Sequence, residues 1–476
     1  MLPDKVTKKI SEIATDVNFL QMDSENILNG FKALKLSPVF SELQKVKRCG
    51  HSPQSILSLL IWSLLNGGKT VNSSLALFVS NGTFIGKDAF FRLKNNSKIN
   101  WRRLLWYICR RFAAITSHDA EATQGVKCLI FDDTLLDKTG KKIEKIGRVY
   151  DHVTNSFKLG FKLLVALYWD GKSGIPVDFA LCREKGKRTD KPYGMSQKEH
   201  RQQFNKKRMK DTESQKRIEE LDKSKIELVI RMFYRAVTQM FAVDYVLCDS
   251  WFTCQSLVRT VRSEGMHIIG MYKVVLTRFR YQGKELTYKQ INESIKKVQR
   301  CRKMNLQYKT AHVMWDELSV TLFFSRQGKN GKWKVLLTTD KKLTFVKMIE
   351  IYTIRWTIEV FNKEAKQLFN LGGCQSSDLD AHIADLTISM MAYILTTLRY
   401  RYDHYESMGQ LFRSMNAESL QKTLDKRIWE VFIQVLNEIC QALDKDIDEM
   451  LELIMNNPQT ATLVERMLNS PPTEAA

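Results

Sequence analysis

The 476-residue chain predicts a mixed α/β fold: a strand-rich centre carrying a β-rich insertion, flanked by helical N- and C-terminal segments. Three observations predict it. Apolar spacing is helical over residues 1 to about 120 and again beyond 400. From about residue 125, short apolar runs bounded by Gly, Asp and Ser replace that spacing and read as strands. Among them Ile226, Leu228, Val229, Met232, Phe233, Val237 and Met240 return to the helical period, which makes a strand–helix–strand order.

Each element follows in turn. Ser52-Pro53 starts a helix, with Ser as N-cap and Pro in the first position, and Asn66-Gly67-Gly68 ends it. A short apolar segment (residues 74–79), a turn at Asn81-Gly82 and the run from Lys87 to Asn96 have the order of a helix-turn-helix. Residues 101–112 interleave tryptophan, tyrosine and phenylalanine with arginines. That pattern suits an amphipathic helix with an arginine face, or a helix that touches phosphates. Residues 126–131 form a buried strand ending at Asp132-Asp133-Thr134. Residues 145–153, 157–171 and 174–181 follow as an antiparallel meander turning at Asp170-Gly171 and Ser173-Gly174. Residues 183–217 hold thirteen Lys/Arg against five Asp/Glu and predict a flexible basic loop, either a solvated linker or a DNA contact. A helix over 223–241 leads to a second buried strand ending at Asp249. Residues 262–343 are strand-rich and predict the β insertion, and 344–370 a long helix. Trp429, Phe432, Leu436, Ile439, Leu443, Ile447, Leu451 and Ile454 recur at helical steps in an acidic tail suited to packing or oligomerisation. The expected division is 1–120, a helical domain of helix-turn-helix order suited to DNA; 121–261 with 344–400, a mixed α/β core; 262–343, the insertion; and 401–476, a helical C-terminal domain.

Composition bounds the function. Lysine and arginine number 74 against 52 acidic residues, a formal charge of +22. An excess of that size favours a polyanion, and nucleic acid over an anionic membrane, because phosphates release counterions for each cation that docks. The best apolar run, Ile56 to Leu65, is interrupted by Ser58 and Ser63 and falls short of the roughly 20 residues a span needs, so no membrane partner is expected. The N-terminal residues lack an apolar h-region and predict no signal peptide. Nine cysteines without C-x-x-C pairs point to a reducing, cytoplasmic compartment and away from a zinc ribbon.

The chemistry is carried by carboxylates. Asp132 and Asp249 end two apolar strands; side by side in one sheet they would repel unless a cation lay between them. Hard divalent ions take such oxygen ligands, and a pair of them can activate an attacking oxygen and stabilise a leaving one. A third carboxylate lies on the helix after the insertion. Tyr352, Arg355, Glu359, Lys363 and Lys366 fall at steps of three, four, four and three, on one stripe. Ile351, Ile354, Ile358, Phe361, Ala365 and Leu368 make an apolar stripe beside it. The polar stripe is either a solvent face with a Glu359–Lys363 pair, or a metal ligand flanked by phosphate-gripping cations.

The run YTIRWTIEVFNKEAK spells Tyr-x2-Arg-x3-Glu-x6-Lys from Tyr352 to Lys366, with Trp356 after the arginine and Lys363 after the glutamate. It resembles the signature of bacterial insertion-sequence DDE transposases of the hairpin-forming cut-and-paste subgroup. The resemblance covers roughly residues 125–400. It implies an RNase H-like catalytic core in which Asp132, Asp249 and Glu359 are the catalytic triad and ligate two Mg²⁺ or Mn²⁺ ions, Asp133 being the neighbouring alternative to Asp132. It implies that Tyr352, Arg355, Trp356, Lys363 and Lys366 contact DNA. It further implies that a tryptophan of the insertion, for which Trp333 is the match, stacks on a flipped base. The implied partners are double-stranded DNA, as terminal inverted repeats and target, and a second copy in a synaptic homodimer. The implied reaction is end cleavage through hairpins and then strand transfer. The rival readings are an RNase H-type nuclease or resolvase without strand transfer, and a domesticated DNA-binding protein. His152 is assigned a structural role.

Overall fold

The computed structural model describes residues 34–47, 49–74, 85–239, 241–274, 276–402 and 405–417, with scattered positions between 435 and 462. The expected segment at 75–79, the Asn81-Gly82 turn and most of the acidic tail lie outside these residues. In chain order the strands are β1 (Cys128–Asp137), β2 (Gly147–Asp151), β3 (Ser156–Trp169), β4 (Gly174–Cys182), β5 (Tyr245–Cys248) and β6 (His267–Tyr272). They continue with β7 (Arg278–Tyr281), β8 (Lys284–Thr287), β9 (Gln299–Cys301), β10 (Leu306–Trp315), β11 (Leu318–Gln327) and β12 (Lys334–Thr338). The helices are α1 (Ser37–Val46), α2 (Pro53–Leu65), α3 (Lys87–Lys94), α4 (Trp101–Thr116), α5 (Ala120–Gln124), α6 (Gln197–Gln202) and α7 (Glu213–Glu220). After them come α8 (Lys225–Thr238), α9 (Gln255–Ser263), α10 (Tyr288–Ser294), α11 (Phe345–Thr353), α12 (Trp356–Leu368) and α13 (Leu379–Tyr402).

One mixed sheet runs in the order β2-β3-β1-β5-β6-β12-β11-β10-β7-β8, with β4 on β3 and β9 on β10. β1 is antiparallel to β3 and parallel to β5, and β5 is parallel to β6. Antiparallel strands followed by two parallel ones agree with an RNase H-like arrangement. Cys128 to Phe131 are fully buried, as an unbroken apolar run predicts for a strand covered on both faces. α8 begins where Ser224 accepts a hydrogen bond from the Glu227 backbone, and it buries Leu228, Val229, Met232, Phe233 and Ala236. The strand-rich stretch after 262 does not build a sheet of its own. β6 pairs with β5, and β12 closes onto the outer edge of β6, so that edge is not left open.

The described residues fall into two compact units, one of residues 94–367 with 371–397, the other of residues to 93, 368–370 and from 398. In the second, α2 starts as its sequence spells: Ser52 accepts from the Ser55 backbone and Pro53 occupies the first turn. In the first lies most of α13. It is long and apolar enough to cross a membrane, and it is mostly buried within the protein. Asp380 and Asp385 lie in its first two turns.

The expected flexible basic loop is a folded segment instead. It contains a 3₁₀ turn at Pro192–Gly194, α6 with a Ser196/Glu199 capping box, and the start of α7. Two of its cations, Lys206 and Arg208, are paired inside the protein. The Arg208 side chain is 2% exposed and grips Glu144 at 2.6 Å, Asp380 at 3.2 Å and Asp378 at 3.4 Å. Lys206 reaches Asp378 and Asp380, each at 2.8 Å. These partners lie far away in sequence, so a local charge count could not find them.

Candidate active site at the ends of two parallel strands

The last β1–β5 pair is Phe131 with Cys248. Asp132 and Asp249 are the next residues on these neighbouring strands, which run about 4.8 Å apart. β5 stops there. β1 does not end at Asp132, as expected from sequence; it continues against β3 to the pair Asp137–Gly160. Beyond Phe131 one edge of β1 is therefore released from β5 while its other edge stays pinned.

That continuation separates Asp132 from Asp133, because successive strand residues point to opposite faces. Asp133 accepts from Lys225 at the start of α8, 3.1 Å to each oxygen, and lies 3.8 Å from Lys162. Asp132 turns the other way and lies 3.9 Å from Arg355. Burial pushes the Asp132 carboxyl up to about 7; Asp249 and Asp133 add to the rise, while the Asp133 backbone N–H and Arg355 oppose it. Asp249 is fixed by the turn that follows β5. Its carboxylate accepts from the Trp251 backbone at 2.8 Å, and its carbonyl accepts from the Thr253 hydroxyl at 2.7 Å.

The third carboxylate sits on α12. The helix expected over 344–370 is two helices, α11 and α12, joined at Ile354-Arg355. Three-residue hydrogen bonds tighten the joint, from Arg355 N to Tyr352 O and from Thr357 N to Ile354 O, each at 3.0 Å. The apolar stripe is buried at Ile351, Ile358, Phe361 and Ala365 and half-buried at Ile354 and Leu368. Tyr352, on α11, donates to the Cys248 carbonyl at 3.4 Å and so braces the end of β5; burial raises its phenol well above the usual range. Arg355 donates to Glu359 at 2.6 Å and thereby links Glu359 to Asp132.

The other expected site residues divide. Lys363 and Trp356 are exposed, the latter by 60%. Lys366 is turned to β1, donating to the Thr134 hydroxyl at 2.6 Å and the Leu135 carbonyl at 2.9 Å. Trp333 is not brought to the acidic cluster by its described ring contacts. They are with Arg326 at 4.5 Å and Lys309 at 5.0 Å. The sequence reading missed Trp251. It is 63% exposed, two residues past Asp249, with the Lys225 ammonium 5.4 Å from its ring. The signal was available: a large aromatic two residues after a strand-end aspartate.

Among the described residues no three Asp, Glu, His or Cys side chains converge closely enough to hold a metal ion. Glu359 turns to Arg355 instead. The donor set nonetheless suits a hard divalent cation. It is all oxygen, and like charge accumulates at Asp132 and Asp249, offset in part by Arg355.

Carboxylates at the ends of adjacent strands of a mixed sheet can serve many chemistries, and comparison with known families gives the class. The model of a DDE superfamily endonuclease matches residues 64–283, and that of a transposase DDE domain matches residues 229–395. The first match includes Asp132, the second Glu359, and both include Asp249. The chain is an enzyme of the DDE transposase type. No curated protein matches it.

Proposed function

We propose that this transposase cleaves the ends of its element and joins them to target DNA at a site formed by Asp132, Asp249 and Glu359. The observation that carries the reading is the placement of Asp132 and Asp249 one residue past the last β1–β5 pair, with Arg355 linking Asp132 to Glu359. Two Mg²⁺ or Mn²⁺ ions held by these carboxylates would supply activation of the attacking oxygen and stabilisation of the leaving one. The chain's own residues do the rest. Asp249 is oriented by the Trp251 N–H, and Tyr352 fixes the backbone that carries it. Arg355 holds Glu359 on the side of α12 from which it also reaches Asp132, and offers its remaining donors to a phosphate. Lys363 and Trp356, exposed on α12, meet the DNA backbone and a base. Lys366 keeps the free stretch of β1 in place. Trp333, set between two cations, is the stacking residue that the resemblance assigns to the insertion.

Hairpin formation and strand transfer repeat the same in-line substitution, which one site can serve. The expected domain roles go with this reading: DNA binding for 1–120 and oligomerisation for 401–476, in a homodimer that synapses both ends. Incubating the protein with duplex carrying the inverted repeats and Mg²⁺ tests it. Hairpinned ends and joined products are expected; nicks alone would leave an RNase H-type nuclease, and no cleavage a DNA-binding protein.

A further inference from the structure

The β2–β3 ribbon is dressed the wrong way round for a solvated edge. Gly147–Asp151 pairs with Ser156–Gly160, beyond the end of β1. One face carries Val149 and Asp151, which are buried. The opposite face carries Arg148, Tyr150, His152, Phe157 and Leu159, and it is the solvent face. Phe157 is 62% exposed and Val153, in the turn, 90%. This display is ordered. Asp151 accepts from the Val153 backbone at 3.0 Å, the Thr154 hydroxyl at 2.7 Å and Lys158 at 2.8 Å. Tyr150 packs edge-on to Phe157 and to His152, with centroids 5.2 and 5.0 Å away. Rings and an aliphatic tip held rigid in water gain nothing from burial until something covers them.

We propose that this face is a DNA-docking surface that holds the duplex flanking the scissile phosphate, with Phe157 and Val153 against bases or sugars and Arg148 on a phosphate. The inference rests on the DNA-cleaving function proposed above. Register gives the location. Val165 pairs with Asp132, and Phe157 lies eight residues along β3 from Val165, toward the end where Asp132 and Asp249 meet. That is roughly 26 Å of strand, less than one duplex turn of about 34 Å. The chemistry fits as well: Arg148 and the three rings of Tyr150, His152 and Phe157 share that face, the Glu184 carboxylate being held at the strand edge by the Tyr150 N–H, in a chain of charge +22. A two-stranded ribbon also fits the major groove. A second copy of the chain is the weaker occupant, because a few side chains fall short of the roughly 800 Å² per partner that a stable dimer needs.

The test is binding of a fluorescein-labelled DNA duplex in EDTA. Phe157→Ser with Val153→Ser is expected to weaken binding roughly tenfold, with Phe157→Tyr close to wild type. Wild-type affinity in the double variant would overturn the proposal. So would unchanged DNA binding with a smaller species in sedimentation, which would assign the face to a second copy. If the double variant melts early, photocrosslinking of iodouracil-labelled duplex to the wild-type protein reads the same contact. Crosslinks at Tyr150 or Phe157 support it, and crosslinks confined elsewhere overturn it. Glu359→Gln keeps the two readings apart: cleavage that survives Glu359→Gln sinks the acidic site and leaves the ribbon result standing.

Discussion

Two clusters of carboxylates lie within the same compact unit, and their electrostatics differ. Around Glu144, Asp378 and Asp380 every charge is answered. Arg208 makes two bonds to Glu144, at 2.7 and 2.6 Å, and Lys206 bridges the two aspartates. The Leu379 and Asp380 backbones and the Ser214 hydroxyl donate as well. Around Asp132, Asp249 and Glu359 the bridging cation among the described residues is Arg355, and burial with like charge has pushed Asp132 up to about 7. Matched buried charge fixes a segment in place. An under-compensated buried carboxyl such as Asp132 costs stability, and such groups cluster where chemistry is done, the role proposed for this site.

Breaking each cluster should separate the two roles. Glu359→Gln is expected to lower end cleavage at least about a thousandfold, measured as product from labelled end DNA, while the melting temperature stays put because Glu359 is partly exposed. Arg208→Ala is expected to destabilise the protein by about 3–5 kcal/mol, since it strands buried carboxylates; urea unfolding measures it. Stability should also depend on pH through Asp132. The folded carboxyl holds its proton up to about 7, while the unfolded one loses it near 4. The folded state therefore binds more protons between those values, and stability falls as pH rises from about 4 to about 7, then levels. Melting curves across that window, compared between wild type and Asp132→Asn, check the sign. Lys363→Ala should do least: a change in stability within about 0.5 kcal/mol, and a salt slope of DNA binding shallower by about one.

Much of this was legible in the sequence. The apolar runs before Asp132 and Asp249 placed both strands, and the apolar stripe of α12 fixed the register of Glu359. What escaped depended on contacts across the fold. Asp132 and Asp133 cannot be told apart until β1 is known to continue past Phe131, because only then do they face opposite sides. The break at Ile354-Arg355 carries no Gly or Pro to mark it; three-residue hydrogen bonds make it. The segment 183–217 looked mobile because its charges are excessive locally, and Glu144, Asp378 and Asp380 balance them from elsewhere.

The central claim is that Asp132 belongs to a carboxylate site that takes up a divalent cation. The most direct measurement is the melting temperature of wild type and Asp132→Asn at pH 8, each with and without Mg²⁺. The variant should melt higher than wild type in EDTA, and Mg²⁺ should raise wild type but not the variant. A variant that melts lower in EDTA, as Arg208→Ala should, would make Asp132 a matched structural charge and contradict the claim.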